Sequence, residues 1–145
     1  MERFKFALEH VLKYRQNLED QEKILLAKAM QRVRQEEGAA QQLHEEKYRS
    51  ISSFDIRVAD LMYMRQHESY MSLLDLRIQN QQQQLAKAEK VCNTARVRVV
   101  DASSKRKALE RLKDKQWAEY QREQLKAEQK VLDEVGISAY SRKRI

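Results

Sequence analysis

Three histidines and one cysteine are the side chains of this sequence that could serve as metal ligands or nucleophiles. His10, His44 and His67 are far apart, and none has a second ligand at the spacing of a helical metal site such as HExxH. Cys92 is the single cysteine, so no internal disulfide can form, and it lies in an apolar stripe where a thiol acts as a small hydrophobe. The sequence also lacks a glycine-rich phosphate loop. We therefore predict a non-enzymatic protein with no catalytic residue, metal site, cofactor or small-molecule substrate.

A cluster of basic residues is the stronger chemical signal. The chain carries a formal net charge of +7, and this charge is unevenly distributed. Residues 1–89 hold 14 Lys and Arg against 14 Asp and Glu, whereas residues 90–145 hold 15 against 8, which accounts for the whole excess. The densest part is KRKALERLKDK, residues 105–115. Because a basic surface attracts acidic partners, the candidate contact residues are Lys105, Arg106, Lys107 and Arg111.

Nucleic acids and membranes are two other anionic partners, and both fit this cluster less well. A basic region that reads DNA needs a dense run of Lys and Arg on a helix that dimerises in parallel. Here acidic residues interrupt the run, so the charge is mixed; they are Glu110, Asp114, Glu119 and Glu123. The apolar face of this stretch is also too intermittent for a strong interfacial membrane helix. The sequence therefore argues against nucleic acid and against direct membrane binding.

The composition predicts long helices. There is no proline, and the only glycines are Gly38 and Gly136, whereas strong helix formers such as Ala, Glu, Lys, Leu and Gln dominate. Charged residues make up 35% of the chain and the mean hydropathy is -0.86, yet 41% of residues are hydrophobic, more than a disordered chain would carry. The N-terminus lacks a signal-peptide core, and no stretch approaches the ~20 apolar residues of a membrane span. We expect a soluble protein in the reducing cytoplasm.

The tract QNQQQQL, residues 79–85, lies on the outside of a predicted coiled coil. Positions that alternate by three and four from Met71 are apolar or small in nine of ten cases, over more than four heptads. These seam positions are Met71, Leu74, Ile78, Gln81, Leu85, Ala88, Cys92, Ala95, Val99 and Ala102. Gln81 is the seam member of the tract and forms a polar layer that helps to fix the register. The glutamines are therefore predicted to be ordered.

A second stripe in the N-terminal third predicts a partner helix. It consists of Phe4, Leu8, Val11, Leu18, Leu25, Ala29, Val33 and Ala40. The segment SISSFDIRVAD, residues 50–60, separates the two stripes and is rich in the Ser and Asp that favour caps and turns. We therefore predict an all-α protein, a two-helix antiparallel coiled-coil hairpin with a longer C-terminal helix, in a single domain.

The same patterns predict where the helices begin and end. The bounds are about 2–50 for helix 1, about 51–60 for the turn, about 61–135 for helix 2 and 136–145 for a tail. Gly136 is predicted to end helix 2 in the left-handed conformation. Folding near the middle of the turn places Val33 opposite Ile78 and Phe4 level with Lys107. The last ~28 residues of helix 2 then lack a partner helix, and this basic amphipathic end needs something to bind.

The sequence resembles the FliJ family, small coiled-coil proteins of the bacterial flagellar type III export apparatus. The N-terminal FKFALEHVLKYR is similar to that family's opening, and KALERLKDK followed by EQKVLDE and Tyr140 is similar to its C-terminal part. Tyr48 before the turn and YMSLLDLRI after it are similar to the family's pattern near the hairpin tip. The resemblance covers essentially the whole chain, and the order and spacing of the motifs are more specific than any one of them.

The resemblance implies partners as well as a fold. It implies a stalk similar to the γ subunit of rotary ATPases, whose end with both termini approaches the pore of the hexameric export ATPase and promotes its assembly and activity. The other region would contact the cytoplasmic part of the export gate, and the family also handles export chaperones. By the family's pattern Tyr48, Tyr70 and Leu74 are partner-binding positions, whereas His44 stands where the family often has another aromatic. The implied location is the cytoplasm, with peripheral membrane association at the flagellar base.

Two other functions stay open at the level of sequence. A stalk protein of a virulence type III secretion system would form the same hairpin, although the opening FKFALEHVL favours the flagellar form. A purely structural or dimerising coiled coil with affinity for nucleic acid would instead form a parallel dimer of two long helices.

Overall fold

The computed structural model describes residues 2–144. It contains two helices, α1 at Glu9–Ser53 and α2 at Leu61–Lys143, and the described residues include no strand. The prediction of an all-α helical hairpin with a longer C-terminal helix is therefore confirmed.

Local chemistry explains how α2 begins and ends. The Asp60 carboxylate accepts a hydrogen bond from the Tyr63 main-chain N–H at 2.7 Å, and the Asp60 carbonyl accepts one from the Met64 N–H at 3.0 Å. Asp60 is thus an N-cap that satisfies a donor which the first turn would leave free. Arg142 and Lys143 stand in the last turn, where positive charge interacts favourably with the helix dipole.

The turn between the helices is held by aromatic stacking and a short polar contact. The Phe54 ring stacks on the Tyr63 ring at 5.3 Å and on the His67 ring at 4.3 Å. The Asp55 carboxylate accepts a hydrogen bond from the Arg57 main-chain N–H at 3.0 Å, as in an Asx turn. No described residue of the turn has a positive φ, so the turn does not require a glycine.

Two predicted helix ends are wrong. Helix α1 begins at Glu9 and not near residue 2, because the preceding residues are not helical and place Phe4 against Trp117 of α2. Helix α2 continues through Gly136 to Lys143, and Gly136 has no positive φ, so it is not the predicted left-handed cap. A glycine inside a helix costs only about 1 kcal/mol relative to alanine, which is too little to end a helix of good helix formers.

The chain divides into two compact units, which are described separately. Unit 1 comprises Met1–Glu19 and Ala102–Ile145, and unit 2 comprises Asp20–Asp101. Each unit contains a stretch of α1 and a stretch of α2, so each contains its own part of the hairpin's packing.

Unit 2 is built on the predicted seam. Its buried apolar residues are Leu74, Ala88, Cys92 and Ala95, and the remaining seam positions between them and on either side are half-buried. The glutamines off the seam are helical and exposed, which confirms the prediction that this tract is ordered. Gln81, on the seam, donates to the Glu36 carbonyl at 3.1 Å and to the Glu36 carboxylate. The polar layer therefore has a specific partner on α1.

The predicted register of the hairpin is wrong. The predicted pairing of Val33 with Ile78 would place Met30 opposite Gln81, whereas Gln81 bonds Glu36. Phe4 lies against Trp117, further along α2 than the predicted Lys107, because the residues before α1 are not helical. The turn is centred later in the chain than the sequence suggested. Each residue of displacement in the centre of a hairpin moves the facing residue by two, so a small error in the turn produces a larger error in the pairing.

Candidate partner-binding surfaces

A non-helical N-terminal segment, residues 2–8, covers part of α2 in unit 1, and we call it the strap. The Phe4 ring lies edge-on to Trp117 at 5.1 Å and at 5.6 Å from the Tyr120 ring. The Tyr120 hydroxyl donates a hydrogen bond to the Glu2 carbonyl. The strap thus builds an aromatic cluster on a part of α2 that the sequence predicted to be uncovered.

The sequence contains a signal for the strap that the helical pattern hides. Phe4 and Phe6 are separated by one residue, and side chains at i and i+2 share a face in an extended chain but not in a helix. Phe6 is only 7% exposed, whereas Lys5 between them is exposed. Assigning Phe4 to the helical stripe missed this alternation.

Arg106 of the predicted basic cluster is held by two carboxylates in unit 1. Its guanidinium bonds the carboxylate of Glu19, which is 3% exposed, and that of Glu110 at 2.7 Å. These hydrogen bonds, first to Glu110 and then to Glu19, raise the pKa of Arg106 above its ordinary value, so it stays charged. A second ion pair joins Lys113 of α2 to Glu9 of α1 at 2.9 Å. The geometry therefore gives Arg106 a stabilising role between the two helices.

The other members of the basic cluster differ from Arg106 in their surroundings. Lys107 and Arg111 are exposed, and neither makes an ion pair or side-chain hydrogen bond within the described part of the chain. Their spacing of four residues places them on the same side of α2. Lys105 is also exposed, but it has an interaction within the chain. Of the four predicted residues, the structure leaves Lys107 and Arg111 as an available basic pair.

Residues 125–144, the last part of α2 and the residue after it, have no tertiary cover, and we call them the exposed end. Every residue in it is exposed. Its large apolar side chains are between 58% and 67% exposed; they are Leu125, Val131, Leu132, Val135, Ile137 and Tyr140. Basic residues outnumber acidic ones by five to three. The predicted bare and basic helix end is present, but it starts later than predicted because the strap covers Trp117 and Tyr120. Exposed apolar surface of this kind is typical of interaction sites.

Tyr48 and Tyr70, which the resemblance singles out, line one groove in unit 2. Tyr48 is 72% exposed and Tyr70 is 37% exposed. The Tyr70 hydroxyl donates a hydrogen bond to the Glu46 carboxylate, and this bond is the main reason why the pKa of Tyr70 is raised above its ordinary value. The structure thus brings the two tyrosines to one groove, where Tyr48 is largely exposed and Tyr70 is anchored by a carboxylate.

Leu74, the third residue from the resemblance, has a different environment. Its side chain is fully buried in the seam, with 0% exposure. A partner could contact it only after local opening of the hairpin. In the closed structure Leu74 therefore contributes to packing.

The histidines and the cysteine stay apart in the structure. His10 and His44 are exposed, His67 stacks on Phe54, and Cys92 is buried. Within residues 2–144, no group of three or more His, Cys, Asp or Glu side chains is arranged to hold a metal ion. Neither of the two described helices contains a stretch apolar enough to cross a bilayer.

Comparison with known proteins identifies the family. The family model described as "Flagellar FliJ protein" matches residues 4–144, from the strap to the exposed end. No curated protein and no solved structure matches the chain. The match favours the flagellar form over the virulence stalk, and pairing of the helices within one chain disagrees with a parallel dimer. The chain belongs to the FliJ family and so to the flagellar type III export system.

Proposed function

We propose that this protein is a stalk-like component of the flagellar export apparatus that binds the export ATPase ring, promotes its assembly and activity, and links it to the export gate. The FliJ family is non-catalytic, so in this proposal the hydrolytic activity belongs to the partner. The observation that carries the proposal is the exposed end, where apolar and basic side chains lie on α2 without cover. The proposed location is the cytoplasm, peripherally associated with the membrane at the flagellar base.

The exposed end has the chemistry that a ring with an acidic and apolar central opening would bind. Burying a leucine or valine side chain contributes about 1.5–3 kcal/mol, so a few of its apolar residues could supply the affinity. Its basic residues, with Lys107 and Arg111 earlier in α2, would attract an acidic opening and orient the helix as it enters.

The tyrosine groove of unit 2 is the proposed surface for the export gate or for an export chaperone. Exposed tyrosines are frequent anchors in protein interfaces because they bury a large area with few rotatable bonds. Tyr70 is already held by Glu46, so binding would order Tyr48 alone. Leu74 is fully buried in the seam and is not part of this proposed contact surface in the closed hairpin.

Titration of the protein into the cognate export ATPase tests the first part of the proposal. Wild type is expected to increase ATP hydrolysis and the fraction of assembled ring. The double variant Lys107→Glu and Arg111→Glu should lower the apparent affinity by about tenfold, because it opposes an acidic partner. Since neither residue has a partner in the described chain, helicity should be retained in circular dichroism.

A matched control is the double variant Lys28→Glu and Arg34→Glu, which makes the same charge change at exposed positions of unit 2. This control should stimulate the ATPase as wild type does. Equal stimulation by the Lys107 and Arg111 variant, or no stimulation by wild type, would contradict the proposal.

The second surface needs its own test, because the two contacts are proposed to be separable. Tyr48→Ala should weaken binding to the cytoplasmic domain of the export gate, or to an export chaperone, in a pull-down with purified components. The same variant should leave ATPase stimulation unchanged, since Tyr48 lies in unit 2 and is 72% exposed. Loss of stimulation with unchanged gate and chaperone binding would remove the groove from the proposal.

A further inference from the structure

A second groove in unit 2 takes no part in the proposed function. Its floor contains two small residues, Ala29 of α1 and Ala95 of α2. Leu25 and Val91 stand beside them, and these side chains are 48% and 62% exposed. The distance between packed helices depends on the side chains at the contact, and small side chains such as alanine allow a close approach. The floor is therefore suited to receive another helix.

The rim of this groove is basic. Lys87, Lys90 and Arg98 line it, and none of the three makes an ion pair within residues 2–144. Glu22 also lines the groove, and its Oε2 atom is buried with no hydrogen-bond partner among the described residues. A buried oxygen without a donor is costly, so a donor brought by a partner would be favourable.

The spacing of the lining residues indicates the shape of the occupant. On α2 the lining residues Lys87, Val91, Thr94 and Arg98 follow steps of four, three and four, and Lys90 and Ala95 lie next to this series. On α1, Leu25 and Ala29 are four apart. Residues at these spacings form a stripe along one side of a helix. The groove therefore runs along the helices, as a third helix packed beside them would.

We propose that this groove binds an acidic amphipathic helix of a partner protein. The apolar stripe of that helix would cover Leu25, Val91 and the two alanines, and its Asp and Glu residues would pair with the basic rim. A hydroxyl or amide side chain within its stripe would donate to Glu22. A nucleic acid would match the rim but would leave the apolar floor uncovered and bring phosphates near the Glu22 carboxylate.

A designed peptide is the probe for this proposal: an acidic amphipathic helix of about three heptads, with Leu and Ala in its stripe and one Ser at the centre. Binding to the full chain is measured by fluorescence anisotropy of the labelled peptide. The triple variant Lys87→Glu, Lys90→Glu and Arg98→Glu should weaken binding by about tenfold or more. Leu25→Ser with Val91→Ser should weaken it to a similar degree without any change in charge.

The matched control is the triple variant Arg34→Glu, Arg65→Glu and Lys115→Glu, which makes the same charge change at exposed positions outside the groove. It should bind the peptide within about twofold of wild type. An equal loss in this control would show attraction by net charge alone and would overturn the proposal. Unchanged binding in the rim variant would overturn it as well.

Two further measurements locate the bound peptide and distinguish a helical partner from a nucleic acid. With Cys92→Ala as background, a fluorophore on Thr94→Cys should shift to shorter wavelength when the peptide binds, and one on Gln83→Cys should not. Duplex DNA should neither bind through the rim residues nor displace the peptide at physiological salt. Tight DNA binding that depends on the rim, with no binding of the peptide, would replace the proposed helix with nucleic acid.

Discussion

The parts of α2 in the two units are covered by different kinds of contact. In unit 2 the seam consists of small buried residues such as Ala88, Cys92 and Ala95, with Leu74 fully buried. In unit 1 the cover comes from the aromatic ring of the strap and from the ion pairs of Arg106, and it stops before residue 125. The first arrangement suits a scaffold whose helices stay together, and the second leaves surface for a partner.

Side-chain size decides how much surface of a packed residue remains available to a partner. The small seam residues Ala88, Cys92 and Ala95 keep at most 9% of their surface exposed, because alanine and cysteine fill the space between two close backbones. Trp117 packs against Phe4 and still keeps 44% of its surface exposed. A large aromatic residue can therefore stabilise the fold and contact a partner with different edges of one ring.

The largest expected effect is at the seam of unit 2. Leu74→Ala should lower the free energy of unfolding by about 2–5 kcal/mol, because it leaves a cavity at a position with 0% exposure. Leu73→Ala, next to it and 42% exposed, should cost about 1 kcal/mol or less. Urea denaturation followed by circular dichroism measures both. Similar costs for the two variants would show that the seam is not the main support of unit 2.

The ion pairs of unit 1 give the next effect. Arg106→Met keeps much of the side chain's length but leaves Glu19, which is 3% exposed, without its guanidinium partner. Removing one member of such a pair is destabilising because the other charge stays desolvated. The thermal midpoint should fall further for this variant than for Arg111→Met, whose side chain is exposed. A larger fall for Arg111→Met would reverse the assigned roles of the two arginines.

The strap gives a smaller effect with a specific optical signature. Phe4→Ala removes two aromatic contacts, with an expected cost of about 1–2 kcal/mol. Trp117 is the only tryptophan in the chain, so the fluorescence emission reports on this ring alone. The emission should move to longer wavelength as the ring becomes more exposed to solvent. Tyr14→Ala, at a position 58% exposed, is the control and should leave the emission unchanged. An unshifted spectrum in the Phe4 variant would mean that the strap does not cover this ring.

The smallest effect is a shift in the titration of Tyr70. Its pKa is raised because the neutral hydroxyl donates to the Glu46 carboxylate. The stability that this hydrogen bond contributes is present below the ordinary tyrosine pKa of about 10 and is lost as the pH rises through the raised value. The difference in phenolate absorbance between wild type and Tyr70→Phe isolates this residue among the six tyrosines. Glu46→Gln should bring its midpoint back toward the ordinary value. A midpoint unaffected by Glu46→Gln would show that the bond is not made in solution.

The sequence predicted the parts of the fold that depend on repetition. The heptad positions from Met71 onward predicted which face of α2 is covered, since burial follows the helical period. The register, the strap and the role of Arg106 could not be predicted in this way. They depend on the centre of one turn and on single contacts between distant residues, such as Phe4 with Trp117 and Arg106 with Glu19. Gly136 failed as an end signal because its helical neighbours outweigh its modest propensity cost.

For the candidate surfaces, too, the sequence pattern predicted the general region but not the single contacts within it. Net charge predicted a basic region but not which of its members already have partners, because pairing depends on which acidic residue of α1 lies opposite. Tyr48 and Tyr70 were found only through the family pattern, and no periodicity distinguishes them from other exposed aromatics. The structure adds that they share a groove.

Hydrogen–deuterium exchange of the full chain, with and without the assembled export ATPase ring, tests the central claim most directly. Amides of the exposed end should exchange quickly in the free protein, because no tertiary contact restrains local opening there. We expect the ring to slow exchange in residues 125–144 and to leave exchange in the Leu74–Ala95 seam unchanged. Slower exchange confined to unit 2, or no change in the exposed end at a saturating concentration of the ring, would contradict it.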